Sequence, residues 1–348
     1  MTTQQPIRSI QEAKQPLFLG VDVGGTNIKI GLVDNIGQTL AYTSIETEEP
    51  RGPEDAMQRV VQATRSMLAP TGVSLLQIAR IGLGTPGSQD IPRGMLIAPP
   101  NHPHWHNFPI VACLEEAIGL KVSYANDANA AAWGEFWIGS GAMDSSMILL
   151  TLGTGVGGGI IIDNQLVVGH NSFGGEVGHM IVDFHPEARL CVWGGGRGHL
   201  EAYASASAVA QRAQELLTAG AVSSLSSNID EVSSRRLFEA AEAGDAFSLE
   251  LIDSTADYLA LGITSMVHIL DPGLVVLGGA MNFGGNQSLV GRRFLDRIRS
   301  VFRSRSFEYV AAGTKIDFAS LGGDAGYLGA AGIAQAEYTF PRKTASAT

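Results

Sequence analysis

Apolar positions along this chain fall into short unbroken runs that end in glycine turns, and these runs alternate with stretches of helical spacing. After a polar leader ending near Pro16, LFLGVDVGGTNIKIGLVD predicts two hairpin strands, 18–23 and 27–33, joined across Gly24-Gly25-Thr26. Asp22 then lies near a strand end, facing a glycine turn. Spacing through Ala56, Val60, Ala63 and Met67 predicts a helix over 53–68, and 78–83 reads as a strand running into Gly84-Thr85-Pro86-Gly87. A Pro/His-rich loop, IAPPNHPHWHNFP, leads to a helix over 110–118. The run VSYAN then breaks at Asn126-Asp127 into an alanine-rich helix. Such a corner holds a carboxylate in the first turn of a helix, beside N–H groups that favour its ionised form, so Asp127 is a candidate base. A plain helix N-cap is the alternative reading.

The pattern then restarts. SSMILLTLGTGVGGGIIIDNQLVVG is again strand, glycine turn, strand, and Thr151-Leu-Gly-Thr-Gly is laid out like Asp22-Val-Gly-Gly-Thr, which points to an internal duplication. Two domains that each open with a glycine hairpin would set the two turns face to face. Strong helices follow over 202–217 and 249–270, the second stopped by Asp271-Pro272-Gly273. LVVLGGAM reads as a buried strand ending in Gly278-Gly279, and the polar, Ser-rich stretch 222–235 as a surface excursion.

Composition narrows the function. The formal charge is −11, from 23 Lys+Arg against 34 Asp+Glu, and no basic run occurs, which argues against nucleic acid or a membrane surface as partner. Cys113 and Cys191 are the two cysteines and neither sits in a CxxC, so a disulfide framework is not expected and a reducing compartment fits. No apolar signal core opens the chain, and the expected location is cytoplasmic. The 43 glycines are about 12% of the residues against an ordinary value of about 7%. Two of their clusters satisfy GxGxxG, but neither leads into a helix, so the dinucleotide fingerprint fails its structural test; no GK[ST] occurs either. What remains is strand-turn-strand hairpins that leave N–H groups open to a phosphate, with Thr26 and Thr154 as hydroxyl donors.

DVGGTNIKIGLVD, GLGTPG, NDANAAAWGE, TLGTGVGGG, GGEVGH, GHLEAYAS and LVVLGGAM occur in the order and at about the separations seen in the ROK sugar kinases, and the resemblance covers roughly residues 17–335. It implies an α/β, two-domain actin-like ATPase (hexokinase/Hsp70/ribonuclease H-like) fold with sugar and ATP in an interdomain cleft. The smaller domain would span 16–125 plus a C-terminal helix at about 325–338, the larger 126–324, with 1–15 and 340–348 disordered. By the same resemblance Asp127 is the catalytic base and Asn126 a sugar ligand. Asn101, the family asparagine ahead of a tryptophan (here Trp105), joins Glu176, His179 and Glu201 around the sugar. Asp22 would orient Mg²⁺ or its waters. Gly24, Gly25, Thr26, Gly153, Thr154 and Gly155 would face the phosphates of ATP, with Lys29 in reach of one, and Gly278 and Gly279 would lie against the adenosine. Homodimers or homotetramers are the family's habit.

One segment departs from the family. ROK proteins commonly carry CxCGxxGC, whose thiolates join the GH histidine around a structural zinc; here it reads CVWGGGRGH, with Trp193 and His199 in place of two cysteines and one extra residue. His179, Cys191 and His199 remain in register, with His185 as a conceivable fourth ligand, and the broken cluster argues against a zinc. The loop Pro99–Asn107 is expected either to close over the sugar or to widen the rim through His102, His104 and Trp105. The reading is an ATP-dependent hexose kinase, most simply of glucose at its 6-hydroxyl. The alternatives are a ROK-type sugar-binding regulator, for which the short leader and acidic charge are unsuited, and a kinase for fructose, N-acetylmannosamine or N-acetylglucosamine.

Overall fold

A computed structural model describes residues 5–99, 102–191 and 196–340. In chain order its strands are β1 (Leu17–Val23), β2 (Asn27–Val33), β3 (Thr39–Glu46), β4 (Ile78–Thr85), β5 (Ser88–Asp90), β6 (Met95–Ala98), β7 (Val122–Asn126), β8 (Met147–Leu152), β9 (Val156–Ile162), β10 (Gln165–Leu166), β11 (Leu274–Gly278) and β12 (Lys315–Phe318). The helices are α1 (Pro53–Leu68), α2 (Ile110–Ile118), α3 (Asp127–Ile138), α4 (Glu201–Ala204), α5 (Ala206–Thr218), α6 (Ser234–Glu242), α7 (Ala246–Leu270), α8 (Leu289–Arg305), α9 (Glu308–Gly313) and α10 (Ala325–Thr339).

Two five-stranded sheets share one plan, β3-β2-β1-β4-β7 and β10-β9-β8-β11-β12. In each, the first strand of the glycine hairpin is central. Its antiparallel partner lies on one side, and two parallel strands extend the sheet on the other. The repeated hairpin in the sequence is thus a repeated sheet. Central parallel strands are covered on both faces, which is why β8 and β11 read as nearly unbroken apolar runs.

The chain divides into two compact units, one of residues up to 143 with 166–174 and 320 onward, the other of 144–165 and 175–319. The boundaries differ from the expected 125/126 and 324/325, and close packing explains the first. A Cβ on Gly329 of α10 would lie 1.6 Å from the carbonyl oxygen of Ala130, and one on Gly134 would lie 2.6 Å from that of Ala325. The backbones of α3 and α10 are therefore in contact, and α3 belongs with the first sheet. The sheet accommodates α10 in the same way, since a Cβ on Gly82 would lie 1.7 Å from the Ala330 carbonyl. On the first sheet, Val21, Ile30, Met57, Val60 and Leu114 share one core, and Phe18, Tyr327 and Leu328 another. In the second unit Ile148, Leu150, Val275 and Leu277 meet Leu259, Ile263, Phe294 and Ile298 of α7 and α8.

Two further expectations are corrected. Residues 5–15 of the leader are ordered by backbone bonds: Arg8 N–H donates to Thr39 at 2.8 Å, Asn35 N–H to Lys14 at 2.9 Å, and Lys14 N–H to the Asp34 carboxylate at 3.0 Å. Residues 1–4 and 341–348 lie outside the described part. The single helix expected over 202–217 is interrupted at Ser205, whose backbone is extended and whose Oγ caps α5 by accepting the Ala208 N–H. Among the described residues no helix is long and apolar enough to cross a membrane.

Candidate active site

In the first unit, three parallel strands end side by side: Asp22 of β1 pairs with Gly84 of β4, and Thr85 of β4 with Asn126 of β7. Ligands of open α/β sheets gather at such carboxyl ends. Asn126 is the N-cap of α3, its Oδ1 accepting the N–H groups of Ala128 (2.9 Å) and Asn129 (3.4 Å), while its Nδ2 reaches the Gly87 carbonyl at 3.5 Å. Asp127 opens the helix. Its Oδ1 accepts the Ala128 N–H at 2.8 Å, and its Cα packs 3.8 Å from where a Gly84 Cβ would be. A Cβ at 84 would therefore be in ordinary van der Waals contact with the corner.

The Asp22 carboxyl lies directly against Gly326, where a Cβ would come within 2.3 Å of Oδ2. Loss of solvent pushes its pKa up, with Lys29 opposing, so the ionised form calls for a cation. A hard carboxylate oxygen fits magnesium. The Lys29 ammonium is itself bound to the Gly323 carbonyl. In the turn, Gly24 N–H bonds the Asn27 carbonyl, and Thr47 holds the carbonyls of Gly24 (Oγ1, 2.7 Å) and Thr26 (N–H, 2.8 Å). A Cβ on Gly25 would meet no protein atom, and its backbone is not left-handed, so the fold alone does not call for glycine there.

The Pro/His-rich loop is anchored. Trp105 is fully buried and donates Nε1–H to the Glu49 carbonyl at 3.1 Å, and His104 bonds the Glu49 carboxylate through its N–H and ring. His102 is buried, packs at a tilt against Trp105, and is held below its ordinary pKa by loss of solvent. Trp105 and His104 secure the loop to the β3–α1 connection. Asn101, the expected sugar ligand, lies outside the described residues.

In the second unit the turn Gly153-Thr154-Gly155 is tied to the start of α5, with Ala206 N–H on the Gly153 carbonyl and Ser207 Oγ–H on that of Thr154, both at 2.8 Å. Gly279 has φ +92° and presses on Leu152, so the strand end at Gly278-Gly279 needs glycine for its own backbone. Glu201 is buried, Oε2 accepting the Val156 N–H (2.8 Å) and Oε1 the Cys191 thiol (3.2 Å). Glu176 precedes a short 3-10 turn, Val177–His179, and its carboxyl is pushed up by loss of solvent and the Glu201 charge, against the pull of His179. His179, Cys191 and His199 bring ligand atoms within 4.8 Å of one another, and the two Nδ1 atoms are 3.0 Å apart.

Comparison with known proteins places this arrangement. The ROK family profile matches residues 18–337. The chain belongs to the ROK family. It is 35% identical over 328 residues to the glucokinase of Thermotoga maritima, covering 91% of this chain and 96% of that one. It is 30% identical to the xylose repressor of Caldicellulosiruptor bescii, covering 90% of this chain and 76% of the repressor. Among solved structures, a ROK family glucokinase from Streptomyces griseus in complex with glucose and AMPPNP superposes with a TM-score of 0.71 at 32% identity, covering 92% and 99%. The fold is thus the actin-like, hexokinase-like one of ROK kinases.

Within this ROK chain the zinc segment keeps three ligand side chains of a set that is closed by four in structural sites. His185 is not among them and stacks on Phe184. Trp193 lies outside the described residues, and residues 192–195 include no zinc-ligating side chain. The sequence reading missed the thiol bond from Cys191 to Glu201 and a buried polar group, Thr85, Gln89 and Tyr124, behind the Asn126-Asp127 corner. Only the GLGTPG motif hinted at the latter.

Proposed function

We propose that this ROK protein is an ATP-dependent hexose kinase that phosphorylates glucose at its 6-hydroxyl. The observation that carries the reading is Asp127, set by a capped helix on the strand edge that also presents Asp22 and the Gly24–Thr26 turn. The 6-hydroxyl oxygen forms its bond to the γ-phosphorus as the bond to the bridging oxygen of ADP breaks, and the hydroxyl proton passes to Asp127. Asn126 keeps an amide N–H for a sugar hydroxyl. Glu176 and His179 supply further sugar partners, and each Glu201 oxygen retains a lone pair beyond the bond it already accepts. With the Gly24 and Gly153 N–H groups closing their own turns, Gly25 and Thr26 in the first unit and Thr154 and Gly155 in the second are the residues whose N–H groups would meet phosphate oxygens. Magnesium, held through Asp22, would neutralise phosphate charge. No structural zinc is part of the reading, because the cluster has three ligand side chains among the described residues where a structural site is closed by four.

Discrimination should fall on the hydroxyls held by Glu176 and Glu201, since a carboxylate left without its hydroxyl costs about 1–3 kcal/mol. Coupled ADP-release assays across glucose, 2-deoxyglucose, fructose, mannose, N-acetylglucosamine and N-acetylmannosamine test this. Glucose should have the highest kcat/KM, and Asp127→Asn should lower kcat by about 10²-fold or more while sugar affinity survives. Preference for an N-acetylated sugar overturns the choice of glucose, and full turnover by Asp127→Asn overturns the base.

A further inference from the structure

The strand order places β7 at an edge of its sheet, so the Asn126-Asp127 corner has a neighbouring strand, β4, on one side only. On that side three polar side chains are buried together. Tyr124 Oη and Thr85 Oγ1 are 2.8 Å apart, and Gln89 Nε2 donates to the Thr85 carbonyl (2.6 Å), to Thr85 Oγ1 (2.8 Å) and more distantly to the Ala125 carbonyl (3.4 Å). All three are almost wholly inaccessible, at 7%, 0% and 3% exposure for Tyr124, Thr85 and Gln89. The amide orientation of Gln89 is fixed by chemistry, because only its nitrogen can face the Thr85 carbonyl; this leaves Oε1 buried with no partner among the described residues.

Burying so many polar atoms is unfavourable compared with apolar side chains of the same shape, and the strands pair through their backbones without them. What the network adds is position. It ties the last turn of β4, whose Gly84 packs under the Asp127 Cα, to the last residues of β7 just before the helix starts. Burial, together with the nearby Asp127 charge, keeps the Tyr124 phenol protonated and therefore able to hydrogen-bond.

We propose that Tyr124, Thr85 and Gln89 are positioning residues that lock the strand-to-helix corner and so hold the Asp127 carboxylate in line with the sugar hydroxyl. This rests on Asp127 being the base. A displacement of well under 1 Å at such a corner is felt in the chemical step before it is felt in binding, because a hydroxyl can follow a hydrogen-bond partner more easily than a near-attack geometry can be restored.

The test compares wild type with Tyr124→Phe, Thr85→Val, Thr85→Ser and Asp127→Asn, using steady-state phosphorylation of glucose by MgATP, calorimetric glucose binding and thermal melts. Tyr124→Phe and Thr85→Val should each lower kcat by about tenfold with glucose Kd unchanged, and the double variant should be little worse than either, as members of one unit are non-additive. Thr85→Ser restores the hydroxyl and should keep the wild-type kcat. A network that only adds stability would lower the melting temperature and leave kcat intact, and that result overturns the proposal, as does a Thr85→Ser no better than Thr85→Val. Should Tyr124→Phe yield no folded protein, Thr85→Val carries the same comparison. Asp127→Asn separates the two levels: if it is inactive while Tyr124→Phe runs at full speed, the positioning role fails and the base stands. If Asp127→Asn turns over normally, both fall.

Discussion

Asp22 carries a charge that its folded surroundings disfavour. Its folded pKa is raised by burial, more than Lys29 can offset, so folding favours its protonated form. The sign follows directly: its contribution to stability is best below the ordinary carboxylate value and is lost as pH rises through the raised folded value. Asp22→Asn should therefore melt higher than wild type at pH 8, by about 2–4 °C for an effect of about 1 kcal/mol, and the gain should vanish near pH 4. Adding magnesium together with ADP should reverse the order by stabilising the wild type more than the variant. Differential scanning fluorimetry across pH, with and without the metal, checks both; equal magnesium shifts would remove Asp22 from the metal. Much of this was legible in DVGGT, where an acid stands at a strand end before a glycine turn. Its contact with Gly326 was not, because that neighbour is some 300 positions away and has no side chain to signal it.

At the scale of elements, glycines divide by what surrounds them. Gly329→Ala would drive a Cβ into the Ala130 carbonyl, a backbone atom that cannot swing aside, and should cost about 3 kcal/mol or more of stability. Gly25→Ala meets no protein atom and should leave the melting temperature unchanged while raising the KM for ATP, if that turn cradles phosphate. Denaturant titration and ATP kinetics on the two variants test this directly. Strands, helix starts and the duplicated hairpin were readable because their causes are local: apolar runs, an Asn at an N-cap, a Pro at a helix end. The unit boundary was not, since α3 is placed by α10, and the break at Ser205 arises where the glycine turn binds the start of α5. The altered zinc loop makes its own prediction. Among the described residues His179, Cys191 and His199 are three ligand side chains where a structural zinc is closed by four, so purified enzyme should hold well under one zinc per chain and keep its activity after chelation once magnesium is restored. Stoichiometric zinc by elemental analysis would make His179, Cys191 and His199 ligands.

For the whole molecule the open choice lies between relatives that turn over sugar and relatives named as repressors, because both share this scaffold. Charge decides it. Binding duplex DNA requires cations free to face phosphates, and the chain carries −11 overall. Four of the six arginines of its most basic helix, α8, have partners at the surface: Arg293 and Arg297 pair bidentately with Asp253 and Asp257 of α7, Arg299 bonds the Ile316 carbonyl and Arg292 that of Asn286. Such pairs add little stability on a surface, but they offset the charge of Arg293 and Arg297. The protein should therefore leave duplex DNA unshifted at about 1 µM protein and about 150 mM salt, conditions under which a specific binder with a Kd of about 10⁻⁸ M would be saturated. The measurement is electrophoretic mobility on random-sequence and genomic duplexes, with and without glucose or xylose. A sugar-sensitive shift would point to regulation as a function of this chain, and sugar binding without any ADP release in the coupled assay would remove the kinase reading altogether.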